Sequence, residues 1–139
     1  VMGTAAATGS AVHRKRFLAC HAEAAFYADF ADFSFYEITV SHAHYVGGFG
    51  RIASVAASDI LVPRATAERW ETAAEKTLSE INAGYTDRLT RLAGKDAAAV
   101  ACDPDGLDVT AGDTVTRIAF AERLVSPEDV AGAMRQIAP

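Results

Sequence analysis

One long amphipathic stripe constrains the fold of this chain more than any other feature. Seven apolar residues recur at steps of four and three: Trp70, Ala74, Leu78, Ile81, Tyr85, Leu89 and Leu92. This is the period of an α-helix that buries one face. The pattern predicts a helix that is capped at Thr66, kinks at Gly84 and ends at Gly94. The chain must therefore supply an apolar surface on which this helix packs.

The residues after the stripe predict that surface. The run AAAVACDPDGLDVTAGDTVTRIAF reads as three short strands, with turns at Asp103–Gly106 and Ala111–Asp113. Ser126, Pro127, Glu128 and Asp129 then announce a last helix, because they offer a cap, a proline at the first helical position and acids in the first turn. Its predicted buried face is formed by Val130, Met134 and Ile137. Residues 64–139 are thus predicted to form a small α-β-β-β-α domain.

The first 63 residues are predicted to form a different unit. VMGTA reads as a short strand, and Ser10 as the cap of a helix through HRKRFLACHAEAAFYADF. FSFYEITV is predicted to be a strand, SHAH a turn, and HYVGGFGRIASV the returning strand. FSFYEITV carries apolar residues on both faces, which is typical of a barrel wall that also packs on a second subunit.

Charge and cysteine usage exclude some classes of function. The 139 residues carry a net charge of −5, the wrong sign for a protein that binds nucleic acid by neutralising phosphates. Cys20 and Cys102 are the only cysteines, and they favour a reduced, cytoplasmic protein. No apolar run approaches the length needed to span a bilayer. We therefore expect neither nucleic acid nor a membrane as a partner.

The N-terminal motifs carry a family resemblance. The run RFLACHAEAAFYADFADFSFYEITVSHAHYVGGFGRI resembles the C-terminal half of the split β-barrel of pyridoxamine 5′-phosphate oxidase-like, FMN-binding proteins, and more narrowly their haem-utilisation branch. Residues 66–138 are similar to the small C-terminal domain of that branch, including the hairpin sequence DPDGLDV at 103–109. The resemblance implies an α+β protein, with the C-terminal part of an antiparallel split β-barrel in residues 1–63 and the small domain in residues 64–139.

Two departures from this family limit what can be carried over. Many relatives have an H-M-N-x-D-H segment on the long helix, where this chain has Glu80-Ile81-Asn82-Ala83-Gly84-Tyr85. Asn82 is retained, but no histidine role can be transferred. In relatives, earlier barrel strands carry most of the groups that hold a flavin phosphate, and VMGTA resembles the end of one of them. We therefore expect about a hundred further residues upstream in the intact protein.

The glycine-rich run YVGGFGRI supplies the candidate cofactor site. Glycine within a strand marks a bulge, a bend or the close approach of a ligand. The resemblance implies that Gly48, Phe49, Gly50 and Arg51 lie along the cofactor groove near a homodimer interface. Arg51 would then offer a donor pair to a phosphate or a haem propionate. The alternative is a simple bend in which Arg51 pairs with a carboxylate such as Asp32 and Phe49 belongs to the core.

Two histidines are the remaining site candidates. His42 and His44 are two residues apart, so they share one face of a strand. No third and fourth ligand with suitable spacing is present, so we predict no metal-ion site. One imidazole is enough to bind haem iron, and His44 is included in the cofactor site. No residue is identified as a catalytic acid, base or nucleophile.

Three functions remain open from the sequence. The first is an FMN-binding, oxidoreductase-like homodimer with its cofactor at the subunit interface. The second is a haem-binding or haem-utilisation protein, with or without haem degradation. The third is a binding or regulatory protein that keeps the barrel without a cofactor. FMN is the first expectation and haem the alternative.

Overall fold

The chain folds into helices packed with two separate antiparallel sheets. A computed structural model describes residues 1–137; Ala138 and Pro139, at the end of the predicted 64–139 domain, lie outside the described residues. The elements are β1 (Met2–Ala7), α1 (Ala11–Cys20), β2 (Tyr36–Val46), β3 (Ile52–Ala56), α2 (Ala57–Ile60), α3 (Arg64–Gly84), α4 (Thr86–Ala93), β4 (Ala98–Asp103), β5 (Gly106–Ala111), β6 (Thr114–Ala119) and α5 (Val130–Gln136). The sheets have the orders β1-β2-β3 and β4-β5-β6. The α+β class is confirmed, and neither sheet closes into a barrel within the described residues.

The predicted helical stripe is confirmed, with one correction at its start. Trp70, Ile81 and Leu89 from the stripe are buried. The helix breaks at Tyr85, directly after Gly84, and α4 ends before Gly94, whose φ of 111° suits glycine. The cap at Thr66 is wrong. The helix begins at Arg64, because the carbonyl of Pro63 already accepts hydrogen bonds from the N–H groups of Thr66 and Ala67, at 2.9 Å each.

The C-terminal sheet forms as predicted, and its apolar residues form one side of the core. The turns lie at Pro104–Asp105 and Gly112–Asp113, within the two predicted turn segments. The Asp103 side chain accepts the N–H groups of Asp105 and Gly106, which fixes the first turn. The buried cluster is drawn from this part of the chain: Trp70, Ile81, Leu89, Ala97, Ala99, Cys102, Leu107, Val109, Ile118, Phe120, Val130 and Met134. The division into domains at residue 63 stays a prediction.

One polar contact joins the long helix to this sheet. Asn82 donates its amide hydrogen to the carbonyl oxygen of Ala99 at 2.9 Å and accepts the Ala99 N–H at 2.8 Å. The contact lies where the β4–β5 register shifts, between Ala99 and Ala101. β4 is also an edge strand, and backbone groups on the outer side of an edge strand have no partner in the sheet. Asn82 therefore has a structural role, and it satisfies both backbone groups of one residue.

The first helix is shorter than predicted. Ser10 caps it as expected, since its side chain accepts the His13 N–H at 3.3 Å. However, α1 ends at Cys20, and a 3₁₀ turn follows over Ala22–Phe26. Phe33 and Phe35 are not in the strand either. They pack edge-on against each other, and their rings also contact those of Tyr27 and Phe17, so the strand starts only at Tyr36.

The predicted turn at SHAH is wrong, because these residues form the middle of β2. His42 pairs with Ala56 and His44 with Ser54, while β1 pairs along the other edge. The turn lies instead in the glycine run. None of the helices within residues 1–137 has the length and apolar character needed to cross a membrane.

The N-terminal sheet is largely exposed within residues 1–137, and α1 approaches it at Glu37, near the start of β2. His13 of α1 lies 3.7 Å from the Glu37 carboxylate, so α1 lies on the Glu37 face of β2. Alternation places Tyr36, Ile38 and Val40 on the opposite face. There, Tyr36 is 66% exposed and Ile38 53%. The prediction that both faces of this strand are apolar is wrong, because Phe33 and Phe35 lie before β2 and the face opposite Ile38 carries Glu37 and Thr39.

Candidate functional site

The glycines of YVGGFGRI form a hairpin turn between β2 and β3. The Gly47 N–H donates to the Arg51 carbonyl at 2.8 Å, and the Arg51 N–H donates to the Gly48 carbonyl at 3.1 Å. Gly48 and Gly50 have φ values of 119° and 76°, which residues with a side chain adopt at a cost. The expected bend within a returning strand is therefore wrong. The run reverses the chain because two of its glycines reach the left-handed region.

The hairpin groups the four predicted cofactor residues at its tip. Gly48, Phe49, Gly50 and Arg51 are consecutive there, and His44 lies further down β2. Phe49 is fully exposed, so its interpretation as a core residue is wrong. A large aromatic side chain held in solvent by a tight turn is available for a contact outside this chain. The role of these five residues in cofactor binding stays a prediction.

Arg51 carries a charge that the chain itself does not neutralise. Within residues 1–137 its guanidinium forms no ion pair, and Asp32 is not its partner. By contrast, Arg14 bonds both carboxylate oxygens of Asp29 at 3.0 and 3.2 Å. Arg51 therefore has its donor fork free for an external anion such as a phosphate or a carboxylate.

The two histidines lie on one face of the β2–β3 hairpin. The register places His42, His44 and Val46 beside Ala56, Ser54 and Ile52, and we call these six residues the histidine face. All six are exposed except His42, which is half-buried. Val46 and Ile52 add an apolar end to the face, 62% and 64% exposed. The histidine face thus combines imidazoles with an apolar surface, and Arg51 directly precedes Ile52 in the chain.

A hydrogen-bond chain determines which nitrogen of His42 is available. The Ser41 hydroxyl donates to the Met2 carbonyl at 3.1 Å and lies 3.0 Å from His42 Nδ1. Since a hydroxyl has one hydrogen, Ser41 can accept a bond only if His42 Nδ1 carries the proton. The lone pair of the neutral ring then lies on Nε2. Such an engaged Nδ1 is the usual arrangement of a histidine that binds metal through Nε2.

No multi-residue metal centre accompanies this histidine. In the part of the chain that the structure describes, no three His, Cys, Asp or Glu side chains are grouped to hold a metal ion. A bare ion such as Zn²⁺ needs three or four protein ligands. A haem iron already has its porphyrin nitrogens and needs only one.

A known structure shares this fold at low sequence identity. No protein-family model matches the sequence, and no curated protein matches it significantly. The protein Atu2129 of Agrobacterium tumefaciens str. C58, of unknown function, is similar with a TM-score of 0.67 and 24% identity over 96% of this chain and 58% of that one. A heme binding protein from Mycobacterium smegmatis aligns with a TM-score of 0.41 and 23% identity over 97% of this chain and 61% of its own. The chain thus spans about three fifths of the length of either structure.

Proposed function

We propose that this protein binds a planar, anionic cofactor on the histidine face, with haem as the first candidate. The observation that carries this proposal is the free Nε2 of His42, held by the Ser41 hydrogen bond, on the same hairpin as the unpaired Arg51. One group suits an iron and the other suits a carboxylate. The apolar residues between them suit the body of the ring.

The spacing along the hairpin favours His44 over His42 as the residue that would bind the iron. Val46 pairs with Ile52, so Arg51 lies one residue beyond the last pair of the ladder. At about 3.3 Å per residue, Arg51 lies roughly 10 Å from His44 and roughly 16 Å from His42 along the strand. The shorter separation, with the reach of the Arg51 side chain, fits the distance between the iron of a porphyrin and its carboxylate arms. His44 is therefore the alternative iron ligand to His42.

FMN is the second candidate, because the free guanidinium of Arg51 suits a phosphate as well as a carboxylate. The resemblance to FMN-binding split-barrel proteins supports this option. In a flavoprotein the isoalloxazine would carry out the redox chemistry, and the protein would supply binding and electrostatics. A split barrel and a role as oxidoreductase remain part of this second proposal.

The exposed apolar surface of the N-terminal sheet supports a homodimer. Six large apolar side chains of the N-terminal sheet are more than half exposed: Tyr36, Ile38, Tyr45, Val46, Phe49 and Ile52. At roughly 150–250 Å² for an aromatic side chain, together they leave on the order of 800 Å² uncovered. Each partner of a stable complex buries about that area. The register shift at Ser41 puts Val46 and Ile52 on the face opposite Tyr36 and Ile38, so a second copy packed on one face would remove part of the exposed surface.

Absorbance titrations with haemin and with FMN test the proposal directly. Wild-type protein should develop a sharp Soret band with haemin, at micromolar affinity or better. His42→Ala or His44→Ala should remove or shift the band, and Arg51→Gln should weaken binding about tenfold. His21→Ala is the matched control, because His21 is exposed outside the histidine face, and it should bind like wild type.

Other outcomes select among the functions. Saturable FMN binding that Arg51→Gln weakens, without a Soret change in the histidine variants, would replace haem by flavin. If neither cofactor binds, the cofactor proposal fails, and a binding or regulatory role without a cofactor remains. The dimer is tested separately by sedimentation, where Ile38→Asp should shift wild-type dimers to monomers. A monomeric wild-type protein at high micromolar concentration would refute the homodimer.

A further inference from the structure

A concave surface lies beside α1, and its lining contains no residue of the glycine hairpin. It has a volume of about 580 Å³ and is bounded by α1, the segment before α3, α3 itself and β4. We call it the seam cleft. Its apolar lining includes Val12, Leu61, Trp70, Ala74, Leu78 and Val100. Ligand pockets of proteins have volumes of about 300–1,000 Å³ and are lined mainly by apolar side chains, so the seam cleft has the dimensions of a small-molecule site.

The charged residues of the seam cleft neutralise one another. Lys15 pairs with Glu75 and Arg16 with Glu71, which joins α1 to α3. The two acids at the β4 end are also paired, Asp103 with Arg117 at 2.6 Å and Asp105 with Arg123 at 2.7 Å. No charge is left for an ionic ligand to neutralise. An ionic ligand would have to break an existing pair, so charge complementarity favours an uncharged molecule.

The wall of the seam cleft contains one unpaired donor. Trp70 is 4% exposed, and its indole Nε1 has no hydrogen-bond acceptor within residues 1–137. A buried donor without an acceptor costs about 1–3 kcal/mol, and buried tryptophans usually avoid this cost by finding a partner. Nε1 has almost no exposed surface, so an acceptor in the cleft must displace the groups that cover it before it can bond.

Cys102 also lines the seam cleft, but its thiol adds no ionic or covalent chemistry at neutral pH. Burial, followed by the charge of Asp103, raises the pKa of Cys102 to about 12. A thiol that stays protonated is neither a nucleophile nor a metal ligand. The seam cleft is therefore a site for reversible binding by apolar contact and one hydrogen bond.

We propose that the seam cleft binds a small, uncharged, largely apolar molecule that carries one hydrogen-bond acceptor, such as a ketone or ester carbonyl. The apolar walls provide affinity, and the Trp70 N–H selects for the acceptor. The proposal is independent of the cofactor proposed for the histidine face. The two sites lie on different elements and favour ligands of different charge.

The chain contains its own reporter for this site, because Trp70 is its single tryptophan. The probe is prodan, an uncharged naphthalene ketone whose absorption overlaps tryptophan emission. Titration of the wild-type protein should quench Trp70 emission and sensitise prodan emission in a saturable manner, in the low micromolar range. Anilinonaphthalene sulfonate, an anionic naphthalene, should bind at least tenfold more weakly by the same readout.

Two matched variants locate the bound probe. Ala74→Leu fills the cleft from α3 and should weaken prodan binding at least tenfold, while Ala65→Leu, an exposed change on the same helix, should not. Urea unfolding of both variants shows that they are folded. Equal prodan affinity in Ala74→Leu and wild type would place the probe elsewhere, such as on the exposed sheet, and overturn the proposal. Tighter binding of the anionic probe than of prodan would overturn the proposal that the ligand is uncharged.

Discussion

The free energy of folding should be concentrated in the C-terminal sheet and its helices, and a pair of matched truncations tests this distribution. Leu107 and Ile38 both lie on the central strand of a three-stranded antiparallel sheet. Leu107 is fully buried, whereas Ile38 is 53% exposed. Their replacement by alanine removes the same number of carbon atoms from a similar backbone. The difference between the two variants therefore measures how much burial each sheet provides.

The structure gives different magnitudes for the two changes. Leu107→Ala removes transfer free energy and leaves a cavity in packed surroundings, for a loss of about 3 kcal/mol within the usual range of about 2–5 kcal/mol. Ile38→Ala removes three carbons worth about 0.8 kcal/mol each when fully buried. Because roughly half of the side chain is exposed and no cavity forms, the expected loss is about 1 kcal/mol. Against a typical total of about 5–15 kcal/mol, only the first change is severe.

Urea unfolding, followed by Trp70 fluorescence and by circular dichroism, measures both losses. At low protein concentration, Leu107→Ala should lose at least twice the free energy of unfolding that Ile38→Ala loses. The loss caused by Ile38→Ala should grow as the protein concentration rises if a second copy covers this sheet, since association stabilises only the folded chain. Equal losses in dilute solution would refute the reasoning, because they would mean that the N-terminal sheet is buried within the single chain.

For three further experiments, a single contact or a single buried group determines the direction of the expected effect. Asn82→Ala should lower the free energy of unfolding by about 2 kcal/mol, because it leaves the backbone groups of Ala99 unpaired; a loss below about 0.5 kcal/mol in urea would contradict this role. The hydrogen bond from Lys15 lowers the pKa of Glu75. This pair therefore stabilises the fold at pH values above the ordinary pKa of 4.5, and its contribution is lost as the pH falls through the lowered pKa of the folded protein. Glu75→Gln should reduce the acid sensitivity of unfolding at low salt. A thiol reagent at pH 8 should label Cys102 only on unfolding, because burial raises its pKa to about 12; labelling of both cysteines at equal rates in the native protein would be inconsistent with that burial.

The elements that follow from local rules are predicted well from this sequence. The stripe from Trp70 to Leu92 and the two turns of the C-terminal sheet depend on residues close together in the chain. Gly94 ends α4 for a local reason too, since its φ is positive. The break at Gly84 also follows from a local rule, because glycine lowers the stability of a helix whatever the helix packs against. In these segments, propensity and tertiary packing favour the same structure.

The predictions for the N-terminal part are wrong where contacts with residues distant in the sequence determine the secondary structure. The segment SHAH is predicted to be a turn although it contains no strong turn-forming residue. Pairing with β1 and β3 makes it the middle of a strand instead. Phe33 and Phe35 have high strand propensity but pack on aromatic residues of the preceding segment instead. The glycine run was recognised as special, but whether it bends or reverses the chain depends on φ values that its composition does not specify.

The candidate site shows the same limit. The sequence identified His42, His44 and Arg51 by residue type, but not the Ser41 bond that leaves His42 Nε2 free. The role of Asn82 was missed as well, although an amide in an otherwise apolar helical face was the available signal. The seam cleft had no signal at all. Its walls come from α1, α3 and β4, and only the folded chain brings them together.

The pairing of β1 with β2 also orders events in time. Met2 meets His42 across a loop of about forty residues, whereas β4, β5 and β6 follow one another through two-residue turns. The entropy cost of closing a long loop must be met before the distant strands can pair, so strands joined by short connections pair first. We therefore expect residues 64–137 to reach native structure early and the N-terminal sheet to assemble later, as the slow step of folding. During that interval its apolar strands are open to wrong pairing, and the yield of refolding should fall as protein concentration rises.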